Sequence, residues 1–294
     1  MQRILIATDF STAARNASLY GVELAKHFET TAILFSSYRV PPPPSAFIYT
    51  LSKYDLMLQT DRRLLREADF LDPTKELIEI ACDEGFAGDP IISIANEKKV
   101  DYIIAGMKGT GKHFKNVLGS TAISLAVKSN IPVILVPEGA RFKDPVKILF
   151  VNDGHTASGK DIPKGLTEVA EHFKSELYVV KMTKNKNKES IGISGHIQKL
   201  TKEIQIPGSS FEYPIDTDIR HALNEFIEIN EVDMLVMMTH KQDWIDRIYR
   251  KSHTREMNFH TNIPSLILPG TTSAQRFTNN KWLVEGNNSL IAAN

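Results

Sequence analysis

Three short apolar segments occur twice in this chain, in the same order. Arg3-Ile4-Leu5-Ile6-Ala7-Thr8-Asp9 returns as Lys147-Ile148-Leu149-Phe150-Val151-Asn152-Asp153. Asp101-Tyr102-Ile103-Ile104-Ala105 returns as Asp233-Met234-Leu235-Val236-Met237, and Ile131-Pro132-Val133-Ile134-Leu135-Val136-Pro137 as Ile263-Pro264-Ser265-Leu266-Ile267-Leu268-Pro269. Each is a run of strand length, too short for a helix and dominated by aliphatic residues. Self-similarity at this scale is a domain duplication, so a fold available to the first half must also be available to the second. With 294 residues the chain has room for two domains of usual size.

Between the matched strands the periodicity changes to that of helices. Ser11 is placed to cap a helix running to about Glu29, with Ala14, Ala17, Gly21, Leu24, Ala25 and Phe28 as its apolar stripe. Thr31 to Ser37 reads as a strand, Pro41 to Pro44 as an extended break, and Ser52 to Phe70 as a charged amphipathic helix. Glu76 to Cys82 is a third strand, and Asp89-Pro90 opens a helix to about Lys98. The second half repeats the alternation: strands at 147–152, 176–182, 209–214, 232–238 and 263–268, with helices at 158–173, 189–203 and 217–229. Strands alternating with helices predict an α/β fold: two tandem doubly wound domains, each a five-stranded parallel sheet flanked by helices. The expected divisions are 1–140, 146–270 and a tail at 271–294, with Glu138 to Pro145 as linker.

Function is written most clearly after the fourth strand of the first half. Gly106, Gly109, Gly119 and Ser120 stand in the order Gly-x2-Gly-x9-Gly-Ser, behind the strand Tyr102 to Ala105. Such a loop leaves a strand and returns into a helix whose first turn offers unpaired backbone N–H groups, a setting that suits a phosphate. Glycine also serves simply as a turn residue, so the loop alone does not choose a ligand. Asp9 closes the first strand on the same end of the sheet. It suits either a ligand contact or capping of the helix at Ser11.

Taken together, Ala7-Thr8-Asp9-Phe10-Ser11, the glycine pattern and the Ile-Pro-Val-Ile-Leu-Val-Pro strand resemble the universal stress protein family in a tandem, two-domain form. The resemblance covers about residues 2–137 and, more loosely, 146–269. It implies the doubly wound sheet of adenine nucleotide alpha hydrolase-like folds and an ATP site, with Mg²⁺ accompanying the nucleotide. Carried over by position, Asp9 would contact the nucleoside beside Ala7, and Ala105 and Gly106 would line the nucleotide. Gly109, Gly119, Ser120 and Thr121 would hold the phosphates, and the adenine would rest against backbone at Ser37, with Tyr38 next in line. The segment Ser36-Ser37-Tyr38-Arg39 departs from the family's His-Val pattern. The family's fifth strands pair across a two-fold axis, so Ile131–Val136 and Ile263–Leu268 are expected to pair within this chain as a pseudo-dimer. A homodimer and unidentified protein partners are compatible with the same fold.

The second half keeps the spacing and loses the glycines: Met238, Lys241 and Lys251 stand where Gly106, Gly109 and Gly119 stand in the first, while Ser252 and Asp153 persist. One nucleotide site is therefore expected, in the first half, and His240, Lys241, Lys251 and His253 offer at most a different anion site. Lys108, Lys112, His113 and Lys115 lie inside the first loop, either facing phosphate or solvated. Gly106 to His113 approaches a P-loop, but the eighth position carries His113 where a magnesium-binding hydroxyl is required. No metal-spaced histidines, nucleophile elbow or paired carboxylates accompany the loop, so the residues are those of binding rather than bond cleavage. The rival reading is a stress-response scaffold that binds proteins and not nucleotides. Thirty-five basic and thirty-five acidic residues cancel, leaving no global field for nucleic acid or a membrane surface. One cysteine, no apolar run of spanning length and no leader-like start lead to the expectation of a cytoplasmic protein.

Overall fold

In the computed structural model, residues 3–40, 52–86, 88–107, 119–152, 164–183, 207–214, 219–239 and 262–270 are described. The first half supplies β1 (Ile4–Ala7), α1 (Thr12–His27), β2 (Ala32–Tyr38), α2 (Lys53–Leu71), β3 (Ile78–Glu84), α3 (Gly88–Glu97), β4 (Tyr102–Met107), α4 (Ser120–Lys128) and β5 (Val133–Pro137). The second half supplies β6 (Lys147–Asn152), α5 (Lys164–His172), β7 (Glu176–Thr183), β8 (Gly208–Pro214), α6 (Ile219–Asn230), β9 (Met234–Thr239) and β10 (Ser265–Pro269). The helix expected at 189–203, the Pro41–Pro44 break and the tail lie outside the described residues. Among the described residues no helix is long and apolar enough to cross a membrane.

All ten strands form one sheet, in the order β3-β2-β1-β4-β5-β10-β9-β6-β7-β8. Each run of five is parallel, and the second repeats the topology of the first in mirror order. The two runs meet where β10 pairs with β5 antiparallel, Leu266 opposite Ile134, with Ser265 opposite Leu135 and Ile267 opposite Val133. Since Val133 and Ser265 are corresponding residues of the two halves, this pairing is self-complementary, as a two-fold axis through Ile134 and Leu266 requires. It also removes two exposed sheet edges.

The halves share smaller devices. Asp101 accepts the Arg3 N–H on its carboxylate at 2.8 Å, and Asp233 accepts the Lys147 N–H at 2.9 Å, each clipping the start of one strand to the next. Helices end on non-glycine residues in the left-handed region, Glu29, Lys99, Lys174 and Glu231. In each case the following N–H reaches back to a helix carbonyl, as Thr30 does to Ala25 and Ser175 to Ala170. At the seam, His27-Phe28 of the first half meets His172-Phe173 of the second, with ring centroids 4.6 Å apart for Phe28 and His172 and 5.6 Å for His27 and Phe173. The Tyr102 hydroxyl crosses the same seam to donate to Glu168 at 2.9 Å.

The sheet has apolar layers on both faces. On one, α1, α2 and α5 bury Tyr20, Leu24, Leu64, Leu166 and Val169 against Ile6, Ile104 and Val236. On the other, α3, α4 and α6 bury Ile91, Leu125 and Phe226 against Leu5, Ile103 and Leu235. Burial on both faces explains why these strands read as continuous apolar runs rather than alternating ones. One expectation needs correction: β4 does not stop at Ala105 but continues through Gly106 to Met107, with Gly106 in register with Val136.

Candidate functional site

The crevice lies where a doubly wound sheet opens. From β1 the chain passes to β2 on one side, and β4 is reached on the other, so the helices following these two strands diverge and leave a gap at the strands' carboxyl ends. Into that gap opens a cleft of about 150 Å³. The sequence expectations on its wall are Ala7, Asp9, Ser37, Gly106, Gly119 and Thr121. Ala105 sits in the floor beside it, opposite Ala7 and 4 % exposed. Ser120 is the first residue of α4, next to the wall. Gly109, Lys108, Lys112, His113 and Lys115 lie outside the described residues, as do Asp153, His240, Lys241, Lys251, Ser252 and His253. Met238 is a buried core residue of β9.

The turn from β1 into α1 is held by its own side chains. Thr8 sends its N–H to the Phe35 carbonyl at 2.8 Å, which ties the turn to β2. The Thr8 hydroxyl accepts the Phe10 N–H at 3.0 Å, Asp9 Oδ1 accepts the Ser11 N–H at 2.9 Å, and Ser11 Oγ accepts the Ala14 N–H at 3.2 Å as the helix cap. Asp9 thus performs the local capping task with one oxygen, while Oδ2 has no partner among the described residues and the residue is exposed on the cleft wall. Phe10 bends the chain with φ of 63°, a left-handed conformation that is costly for an aromatic residue.

The two glycines of the wall differ in kind. A Cβ on Gly106 would stand 2.5 Å from the Ala13 carbonyl oxygen and 3.0 Å from the Ala14 nitrogen. The first turn of α1 lies directly on the strand there, so glycine at 106 is demanded by helix packing alone. A Cβ on Gly119 would meet nothing within 4 Å among the described residues. Gly119 is the N-cap of α4 with φ of −58° and ψ of 150°, open to any residue, and it makes no side-chain cap. At that position Ser, Thr, Asp or Asn would satisfy a helix N–H that glycine leaves free. Glycine is accepted at an N-cap, but no close contact among the described residues requires it here.

Several wall residues escaped the sequence reading: Thr8, Ser36, Ile91, Ala122 and the first turn of α1. The pair Ala13-Ala14 was the available signal, two small residues in the first turn after the Ser11 cap, where close backbone approach is needed. Ser36 and Ile91 carry no local signal, because β2 and α3 reach the cleft only through the sheet order.

Residues 1–137 match the model of the universal stress protein family. A universal stress protein of Mycobacterium tuberculosis is 32 % identical over 139 residues, which are 46 % of this chain and 48 % of that protein. The chain thus spans about half the length of this relative. A stress response protein of Bacillus subtilis is 26 % identical, the match taking in 46 % of this chain and 96 % of that protein. Among solved structures, a universal stress protein from Archaeoglobus fulgidus superposes with a TM-score of 0.65 over 91 % of this chain and 98 % of its own, at 12 % identity, a likeness of fold across both halves. The first half of the chain, residues 1–137, belongs to the universal stress protein family.

Proposed function

We propose that the first-half cleft binds an adenine nucleotide, ATP with its Mg²⁺, and that the chain acts in stress response as a nucleotide-dependent regulatory or interaction protein. The observation that carries this reading is Gly119: a helix N-cap without a side-chain cap on the cleft wall, with no close contact among the described residues to exclude a side chain. Backbone N–H groups left free at the start of a helix, reached without a Cβ in the way, suit a phosphate. The phosphates would lie against Gly119, Ser120 and Thr121, and Gly109 would join them from the preceding loop. Asp9 Oδ2 would take a ribose hydroxyl. The base would lie toward Ser37 and Ser36, over the apolar floor of Ala7, Phe35 and Ile91. Mg²⁺ would arrive on the phosphates, keeping most of its water.

The same reading divides the chain at the linker, 1–140 carrying the nucleotide and 146–270 serving for pairing or partners. The test is nucleotide content of the purified protein together with a thermal shift in millimolar ATP, repeated for Gly119→Val. Bound ATP or a rise in melting temperature that the variant abolishes supports the reading. No bound nucleotide and no shift refute it, and favour the scaffold.

A further inference from the structure

We infer that Arg63 is a positioning residue for Asp9, acting through the ring of Phe10; this rests on the nucleotide reading above. Phe10 stands between two cleft residues, Asp9 and Ser11, and holds the left-handed backbone that sets the direction of the Asp9 carboxylate. For a bulky side chain this conformation is unfavourable by itself and persists only where surrounding contacts over-determine it. Two of those contacts are the side-chain hydrogen bonds within the turn. The third comes from far along the chain: the Arg63 guanidinium lies over the Phe10 ring, 3.9 Å from its centroid, while the ring packs against the α1–α2 core.

One turn further along α2, Glu67 receives Arg15 of α1 on both oxygens, at 2.8 and 2.5 Å. Arg63 and Glu67 are i and i+4, neighbours on one face of α2. That face therefore grips the chain at residue 10 and again at residue 15, on either side of the helix start. Arg63 is exposed and is in no ion pair of the described residues, so the ring is its one assigned contact. Removing the cation frees the ring to move, and the backbone turn beneath it then samples other conformations. The carboxylate loses its aim although it is itself untouched.

The test uses the full chain as wild type and as two variants: Arg63→Met, which keeps an apolar stem over the ring, and Arg63→Lys, which keeps the cation. Amide hydrogen exchange at Phe10 and Ser11 is measured without ligand, and affinities are measured for ATP and for 2′,3′-dideoxy-ATP. A cation–π contact at an exposed site corresponds to about a two- to fivefold change in an equilibrium. Arg63→Met is expected to speed exchange at both amides and to weaken ATP by about that factor, leaving dideoxy-ATP unchanged. Arg63→Lys is expected to restore most of both. Loss of a positive charge near phosphate would weaken the two nucleotides equally, because both carry the triphosphate, and that result overturns the inference. Unchanged exchange at Ser11 overturns it as well. Wild-type protein that binds neither nucleotide refutes the nucleotide reading, and faster exchange in Arg63→Met then still supports the lock on the turn.

Discussion

A single methyl group, added in turn to Gly106 and to Gly119, separates the two requirements that the glycine motif combines. At Gly106 the new Cβ stands 2.5 Å from the Ala13 oxygen and 2.7 Å from its carbonyl carbon. Both are backbone atoms of a helix whose Ala17, Tyr20 and Leu24 are buried, so no side chain can rotate away and α1 itself must move. Overpacking of this kind costs roughly 1–3 kcal/mol, a fall in melting temperature of roughly 2–4 °C per kcal/mol for a chain of this order. At Gly119 the same methyl meets nothing among the described residues, and its backbone angles suit any L-residue. There Ala restricts the unfolded chain by about 0.4–1 kcal/mol but is a poorer N-cap than glycine by a similar amount, so stability should change little.

Ligand binding should rank the variants the other way round. Wild-type protein in ATP at a hundred times its dissociation constant gains about 2.7 kcal/mol. Gly119→Ala, with a methyl between cleft and helix start, is expected to bind about tenfold more weakly, which is about 1.4 kcal/mol. Differential scanning calorimetry with and without ATP reads both quantities in one series. A Gly106→Ala protein as stable as wild type would refute the packing argument. A Gly119→Ala protein that keeps the full ATP shift would refute the claim that this glycine serves a phosphate.

Other consequences are as direct. Ser265 is fully buried in β10 with its hydroxyl unpartnered, where Val133 stands in the first half; Ser265→Val should raise stability by about 1–3 kcal/mol in a urea melt by removing an unsatisfied group. Lys174 and Glu231 occupy left-handed helix ends; Lys174→Gly should stabilise by about 1 kcal/mol, seen as a higher urea midpoint. Burial, with help from the hydrogen bond to Asp61, pushes the Cys82 thiol up to about 12, and burial also raises the Tyr20 and Tyr102 phenols. A raised folded value means stability is whole below the unfolded value and declines as pH climbs from there toward the folded one. Melting temperature should therefore begin to fall above about pH 9, and iodoacetamide should label Cys82 much more slowly in folded than in urea-unfolded protein at pH 8.

The inner strands β1, β4, β5, β6, β9 and β10 were legible because they are buried on both faces, and the helix starts because Ser11 and Ser52 are caps with their partners three residues on. The β5–β10 seam was expected because the family resemblance implies pairing of fifth strands and the chain holds two copies. Helix ends fell within two residues of their expected places, although Glu29, Lys99, Lys174 and Glu231 take a conformation that glycine usually announces. The pattern at Gly106 and Gly119 shows the deeper difficulty. In sequence the two residues belong to one motif and read as serving one ligand. In the fold, Gly106 lies within a strand beneath the backbone of α1, and Gly119 faces the cleft with no described residue within reach of a Cβ. Met238, at the position corresponding to Gly106, is accordingly a question about how closely a helix lies on β9, and says little by itself about phosphate. Whether the second half binds an anion turns on the residue corresponding to Gly119, Lys251. A spacing rule counts residues between glycines; it does not register which glycine is needed by the helix above and which by the ligand.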